Sequence, residues 1–172
     1  MMLEKKENSI WIAGTGHRPQ KLPGGFKSID ENMAKMKNVI QEYIYSLDDD
    51  KDLVIISGMA LGWDTALAQI AIRNEIPLVC AIPCKGQESK WPREARETYS
   101  QILEKAAHVE YLYDYFQPWV MQKRNEWMVD RCDVLLACCS DDGSKSGTLN
   151  CVKYAQKKEV EIVNVYTKCG WT

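Results

Sequence analysis

The chain has 172 residues, with 22 basic and 24 acidic side chains, a formal net charge of −2 and a pI near 5.8. That length suits one domain burying roughly 70% of the surface its unfolded form exposes, and the charge balance offers no broad cationic field for a duplex, so nucleic acid is disfavoured as the main partner. No signal core opens the chain and no apolar run approaches the ~20 residues that span a bilayer, while seven cysteines (80, 84, 132, 138, 139, 151, 169) without a Cys-x-x-Cys pair fit a reducing compartment, so a cytoplasmic protein without a membrane partner is expected.

Short apolar runs alternate with segments of helical period. The run 9–14 reads as a buried strand, and Asp30 is placed to cap a helix. The apolar positions of that helix, Met33, Met36, Ile40, Tyr43, Ile44 and Leu47, recur every three or four residues until Asp48-Asp49-Asp50-Lys51 ends it. A strand at 53–57 leads to a helix from about Trp63 to Asn74 with Ala66, Leu67, Ile70 and Ala71 inward. Strand 77–83 precedes a helix at about 93–107, and strand 108–113 one at about 118–131, with Pro92 and Pro118 at first helical positions. Strand 133–139, a helix at about 147–158 capped by Ser144 or Ser146, and strand 160–166 complete the series.

Strands that are continuously apolar rather than alternating suit a parallel sheet covered on both faces. The pattern therefore predicts a single α/β domain with an open, mostly parallel, doubly wound sheet in a three-layer α/β/α sandwich. Ligands in such sheets bind beyond the strand carboxyl ends, where strand order reverses. The two longest irregular pieces, 19–28 and 84–91, both follow strands and are expected as walls or lid of a site.

Three strand-to-helix turns carry the chemistry-bearing residues. In Gly14-Thr15-Gly16-His17-Arg18-Pro19 the glycines let a ligand approach the main chain, and the arginine fork and imidazole suit phosphate or ribose oxygens. An ordinary turn using glycine for positive φ explains the same residues. The stretch is neither a Gly-x-Gly-x-x-Gly fingerprint, because Pro19 holds the third glycine position, nor a P-loop. His17 is either structural or a ligand contact.

The second turn, Ser57-Gly58-Met59-Ala60-Leu61-Gly62-Trp63-Asp64, leads into a helix whose first amides favour an anion. Asp64 reads as an N-cap, or as a carboxylate holding a ribose hydroxyl and the one weak catalytic candidate, while Trp63 suits the core. In the third turn Ser146, Gly147 and Thr148 supply amides and hydroxyls at a helix start.

Arg124-Asn125, taken alone, reads as a solvated helix face, and the stripe Trp119, Trp127, Met128 as core or as a contact in a homo-oligomer. Cys80, Cys84, Cys138 and Cys139 lack a recognised ligand spacing, so neither a metal nor a cofactor is expected.

Thr15-Gly16-His17-Arg18-Pro19, Ser57 to Asp64, Arg124-Asn125, and Ser146-Gly147-Thr148 with Asn150, in this order and spacing, resemble the YpsA/YoqJ-like branch of the SLOG superfamily. More distantly they are similar to the LOG phosphoribohydrolases and to DprA. The resemblance implies a Rossmann-like fold and a site for a nucleotide or nucleotide-derived molecule, ADP-ribose- or NAD-like or a nucleoside phosphate. Around it would stand Gly14, Thr15, Gly16, His17, Arg18, Ser57, Gly58, Gly62, Asp64, Arg124, Asn125, Ser146, Gly147 and Thr148. Relatives in bacterial conflict systems imply sensing or sequestration of a signalling nucleotide, with which a phage or prophage origin agrees. LOG-type hydrolases carry Pro-Gly-Gly-x-Gly-Thr-x-x-Glu; here Cys151 stands at the glutamate position and Gly143-Ser144-Lys145-Ser146 replaces the lead-in. A thiol cannot do the glutamate's work at neutral pH without tuning. The expectation is therefore binding first, nucleotide N-glycosidic cleavage second, and a scaffold presenting Tyr115 and Trp119 third.

Overall fold

The computed structural model describes residues 2–172. Six strands form one parallel sheet: β1 (Ser9–Gly16), β2 (Asp52–Ser57), β3 (Leu78–Cys84), β4 (His108–Tyr113), β5 (Val134–Cys138) and β6 (Glu161–Asn164). Five helices connect them: α1 (Ile29–Tyr45), α2 (Trp63–Arg73), α3 (Arg93–Lys105), α4 (Val120–Val129) and α5 (Gly147–Lys157). The strand order is β4-β3-β2-β1-β5-β6. The chain thus steps outward from β1 to β4, crosses back, and lays β5 on the other side of β1. That reversal leaves a crevice at the carboxyl ends of β1 and β5, where Gly16 pairs with Cys138.

Alternation along β1 divides the core between the two faces. Ile12, Gly14 and Gly16 face α2, and Ile12 joins Met36, Ile40, Leu67, Ile70 and Ile102 from α1, α2 and α3. Trp11 and Ala13 face the opposite layer with Met128, Val129, Cys151 and Ala155 from α4 and α5. β3 is buried along its whole length, as a central parallel strand with both faces covered must be.

The helix ends depart from the sequence expectation in detail. Ser28, not Asp30, is the N-cap of α1; Asp30 lies in the first turn, where its charge still favours the helix start. Pro92 is the N-cap of α3, and Pro118 precedes the N-cap Trp119 of α4. Gly62 rather than Asp64 is the N-cap of α2, with φ 88°, because the turn must pass against the His17 carbonyl and Pro19 with no room for a side chain. Ser146 does cap α5, its hydroxyl accepting from the Leu149 N–H at 3.0 Å. Trp63 is fully buried, whereas Tyr115 and Trp119 are exposed. Among the described residues no helix is long and apolar enough to cross a membrane.

Candidate functional site

A cleft of about 260 Å³ opens at the switch point between β1 and β5. Its walls come from the end of β1 (Gly14 to Arg18), the short 3-10 turn that follows (Gln20, Lys21), the α2 entry (Ala60, Asp64), one face of α4 and the start of α5. Eight polar or charged side chains are buried among the described residues, and six of them line this cleft: Thr15, His17, Asp64, Arg124, Asn125 and Thr148. Burying polar groups costs free energy unless they are partnered, so such a concentration makes this cleft the candidate site.

Arg124 is the structural link. It is buried, its Nη1 donates to the Gly58 carbonyl at the end of β2, and its Nε donates to Asn125 Oδ1 at 3.0 Å. Asn125 in turn donates to the Gly147 carbonyl at 3.3 Å. Two adjacent residues of α4 therefore tie the α2 entry to the α5 start. A Cβ on Gly58 would collide with this guanidinium, so that glycine serves the arginine's passage.

Asp64 sits in the first turn of α2, where its Oδ2 accepts from the Ala60 N–H at 3.2 Å. Burial raises its pKa above the ordinary carboxylate range, against the opposing fields of Arg124 and Arg18. The same burial lowers the pKa of Arg124, with Asp64 opposing. At α5, the Ser146 cap satisfies the Leu149 amide and the Ser146 carbonyl takes the Asn150 amide, so the cap leaves the Gly147 and Thr148 amides to whatever enters. Around Gly147 there is open space.

His17 is buried, and its Nε2 accepts from the Ser140 N–H at 3.0 Å. An accepting Nε2 puts the proton of the neutral ring on Nδ1. Burial, reinforced by Lys21, lowers the His17 pKa from its ordinary value, which keeps that neutral form. Cys151 lies on the buried face of α5 in hydrogen-bonding contact with the Thr15 hydroxyl, its thiol pushed up to about 11 by burial. It is outside the cleft lining and is no nucleophile at neutral pH.

Of the fourteen residues singled out from the sequence, eleven are gathered here, and Ser57, Gly58 and Gly62 are not among the lining residues. The Ser57 hydroxyl is fully buried, donating to the Asp64 carbonyl at 2.8 Å and accepting from the Met59 N–H at 3.1 Å, so it braces the turn. Of the two irregular pieces, 19–28 contributes Gln20 and Lys21, while 84–91 lies outside the cleft and sends Gln87 Nε2 to the Gly58 carbonyl at 3.4 Å. Arg124 and Asn125 are buried rather than solvated, because their partners come from distant loops. Sequence reasoning reached Gln20 and Lys21 only through the 19–28 wall, Ala60 only as part of the second turn and Met128 only as core or contact, and it passed over Met121. Met121 and Met128 share with Arg124 and Asn125 the three- and four-residue spacing of one helix face, and that spacing was the available signal. All seven cysteines are buried, and no group of three or more His, Cys, Asp or Glu side chains among the described residues could hold a metal ion.

A model of the YspA SLOG family matches residues 10–168. The chain is 34% identical over 140 residues to the SPbeta prophage-derived protein YoqJ of Bacillus subtilis (strain 168), covering 72% of this chain and 79% of that protein. To a UPF0398 protein of Bacillus thuringiensis (strain Al Hakam) it is 30% identical over 164 residues, 91% of this chain and 87% of the relative. Among solved structures it is similar to DNA processing protein A from Helicobacter pylori, described for its single-stranded DNA binding mode, at 19% identity and TM-score 0.59 over 91% of this chain and 65% of that one. The Streptococcus pneumoniae protein of the same name matches at 20% identity and TM-score 0.57, over 90% of this chain and 49% of that one. These two likenesses show a shared fold, and this chain spans about half to two thirds of those proteins.

The expectation against nucleic acid is corrected by the Helicobacter structure, in which this fold belongs to a protein that binds single-stranded DNA. Net charge sums over the whole surface, whereas a single strand is held by a local groove. Here Arg18 and Lys21 both stand at the cleft, so an overall charge of −2 does not set nucleic acid aside.

Proposed function

The chain belongs to the YspA SLOG family, and on that premise we propose that the switch-point cleft binds a nucleotide or nucleotide-derived metabolite, which the protein senses or sequesters. The observation that carries this reading is the gathering of six buried polar side chains beside the Gly147 and Thr148 amides, which the Ser146 cap leaves without an acceptor. A phosphate fits the Gly147 and Thr148 amides with Arg18 as counter-charge. A ribose hydroxyl fits Asp64, the carboxyl group of the lining. A cleft of about 260 Å³ lies just under the range of roughly 300–1,000 Å³ usual for small-molecule sites, which suits a mononucleotide-sized moiety.

Calorimetry against AMP, ADP-ribose, its cyclic form, NAD and a short single-stranded oligodeoxynucleotide tests the reading. At least one should bind, and Arg18→Ala should weaken it about tenfold or more. Binding by none of them, or affinity unchanged in Arg18→Ala, refutes it. A second reading, cleavage of a nucleotide N-glycosidic bond, is favoured by one observation: Asp64 is a carboxyl group of raised pKa inside the cleft. Chromatography for free base separates the two, since binding without release of base leaves only the first.

A further inference from the structure

A second depression, roomier than the cleft, lies on the far side of the sheet. A groove of about 520 Å³ crosses the opposite edge of the sheet, at the amino-terminal ends of β1, β2 and β3, between the N-terminal segment, the α1–β2 connection and the α2–β3 turn. Its floor is apolar: Leu47, Leu53 and Ile76 are only partly buried against the core, and Pro77 is exposed beside them. None of the buried polar side chains lies here, so the groove has the make-up of a docking surface rather than of a reaction site.

Its rim is negative. Glu4, Asp48, Asp49 and Glu75 are exposed, and none is in an ion pair among the described residues. Of the two lysines of the lining, Lys6 faces Asp52, which also belongs to the lining, at 3.9 Å, and Lys51 donates to Asn8 Oδ1 at 2.8 Å, so neither neutralises those four carboxylates. An apolar floor inside an unneutralised acidic rim is complementary to one kind of surface, an apolar ridge flanked by cations.

We propose that this groove docks a basic amphipathic segment of a partner protein, its apolar side chains on Leu47, Leu53 and Ile76 and its lysines or arginines against Glu4, Asp48, Asp49 and Glu75. The floor supplies the hold, and the rim supplies orientation and rate of encounter. Ligand chemistry in open α/β sheets belongs to the carboxyl ends of the strands. The amino-terminal edge is thereby free to carry a partner without obstructing the cleft, and the proposal stands whatever the cleft binds.

The test is amide chemical-shift mapping of the whole 15N-labelled chain with a lysine–leucine amphipathic peptide of about twelve residues. Shifts should concentrate at residues 44–54 and 74–77 and leave 14–18 and 146–148 unmoved. A lysine–serine peptide of equal charge, and a glutamate–leucine peptide of equal apolar content, should each bind about tenfold more weakly or worse. The exposed-site variant D48N/D49N/E75Q should weaken the lysine–leucine peptide about tenfold and keep the parent spectrum elsewhere. Shifts spread over other surfaces, equal binding of the lysine–serine peptide, or an unaffected triple variant overturns the proposal. So do concentration-dependent shifts at the groove without peptide, which assign it to a second copy of the chain.

Discussion

Gly16→Ala tests the packing of the switch point most directly. Trp63 packs against the end of β1, fully buried, and its Nε1 donates to the Leu136 carbonyl of β5 at 3.2 Å. A Cβ on Gly16 would fall inside the contact distance of the Trp63 Cβ and Cγ atoms, and one on Gly14 would do the same to Leu67. Trp63 cannot step back, because it opens α2 directly after the Gly62 turn that packs on His17 and Pro19. Overpacking of this kind costs about 1–3 kcal/mol, and straining the indole hydrogen bond about 1 more. Replacing glycine restricts the unfolded chain and returns about 0.4–1 kcal/mol. The net expectation is a loss of about 1–3.5 kcal/mol, which for a chain of this length lowers Tm by roughly 2–14 °C. Gly147→Ala is the matched control, because no atom lies within 4 Å of its Cβ position and its φ is not positive. That variant should melt at or slightly above the parent. Thermal and urea unfolding of the three proteins decide it. If Gly16→Ala melts within about 1 °C of the parent, or Gly147→Ala is the more damaged, the packing account of β1 is wrong.

Arg124→Met keeps the length of the side chain but leaves the Gly58 carbonyl and Asn125 Oδ1 without their donor and Asp64 without its main opposing cation; urea unfolding should show a loss of about 2–4 kcal/mol. His17 has a folded pKa below its ordinary value of 6.5, so the unfolded chain takes up the proton first as pH falls. Its contribution to stability is full above 6.5 and is lost as pH falls from there through the folded value, and His17→Asn should flatten that part of the stability–pH curve. Asp64 has the opposite sign: its folded pKa is raised above 3.8, so stability falls as pH climbs from there through the raised value, and Asp64→Asn should remove that slope in denaturant titrations. Cys151, with its thiol pushed up to about 11, should stay unmodified by iodoacetamide at pH 8 in the native protein and react once urea unfolds the chain, as read by peptide mass.

Strand and helix positions were legible because both derive from local patterns. Continuous apolar runs and three- to four-residue spacing lie within a ten-residue window, and every strand and α-helix begins and ends within two residues of its expected place, whereas the short 3-10 turns were not foreseen. The roles of individual glycines were not legible, because three different causes write the same letter. Gly14 and Gly16 make room for Trp63 and Leu67, Gly58 makes room for Arg124, and Gly62 supplies a positive φ. Of the candidate-site glycines, Gly147 alone is open at its Cβ position. Arg124 shows the same limit from the other side: its acceptor, the Gly58 carbonyl, is 66 positions away in sequence. A local window shows an arginine on a helix and reads water around it, since nothing nearby in sequence records the buried partner.

The two sides of the cleft also differ in a way that bears on its chemistry. On the α5 side, the position corresponding to the hydrolase glutamate is Cys151, turned inward beneath Thr15 and away from the cleft. The one carboxyl group in the lining is Asp64, on the α2 side, where burial raises its pKa against the opposing fields of Arg124, the Ala60 amide and Arg18. A phosphate seated on Arg18 and the α5 amides would cancel part of that field and push the Asp64 pKa further up. A carboxyl group driven toward its neutral form stabilises a ribosyl cation poorly, yet it can still exchange a hydrogen bond with a sugar hydroxyl. On the proposed reading, the same phosphate that tightens binding would therefore weaken the group that cleavage would need, and nucleotide binding without release of free base is the outcome expected from chromatography.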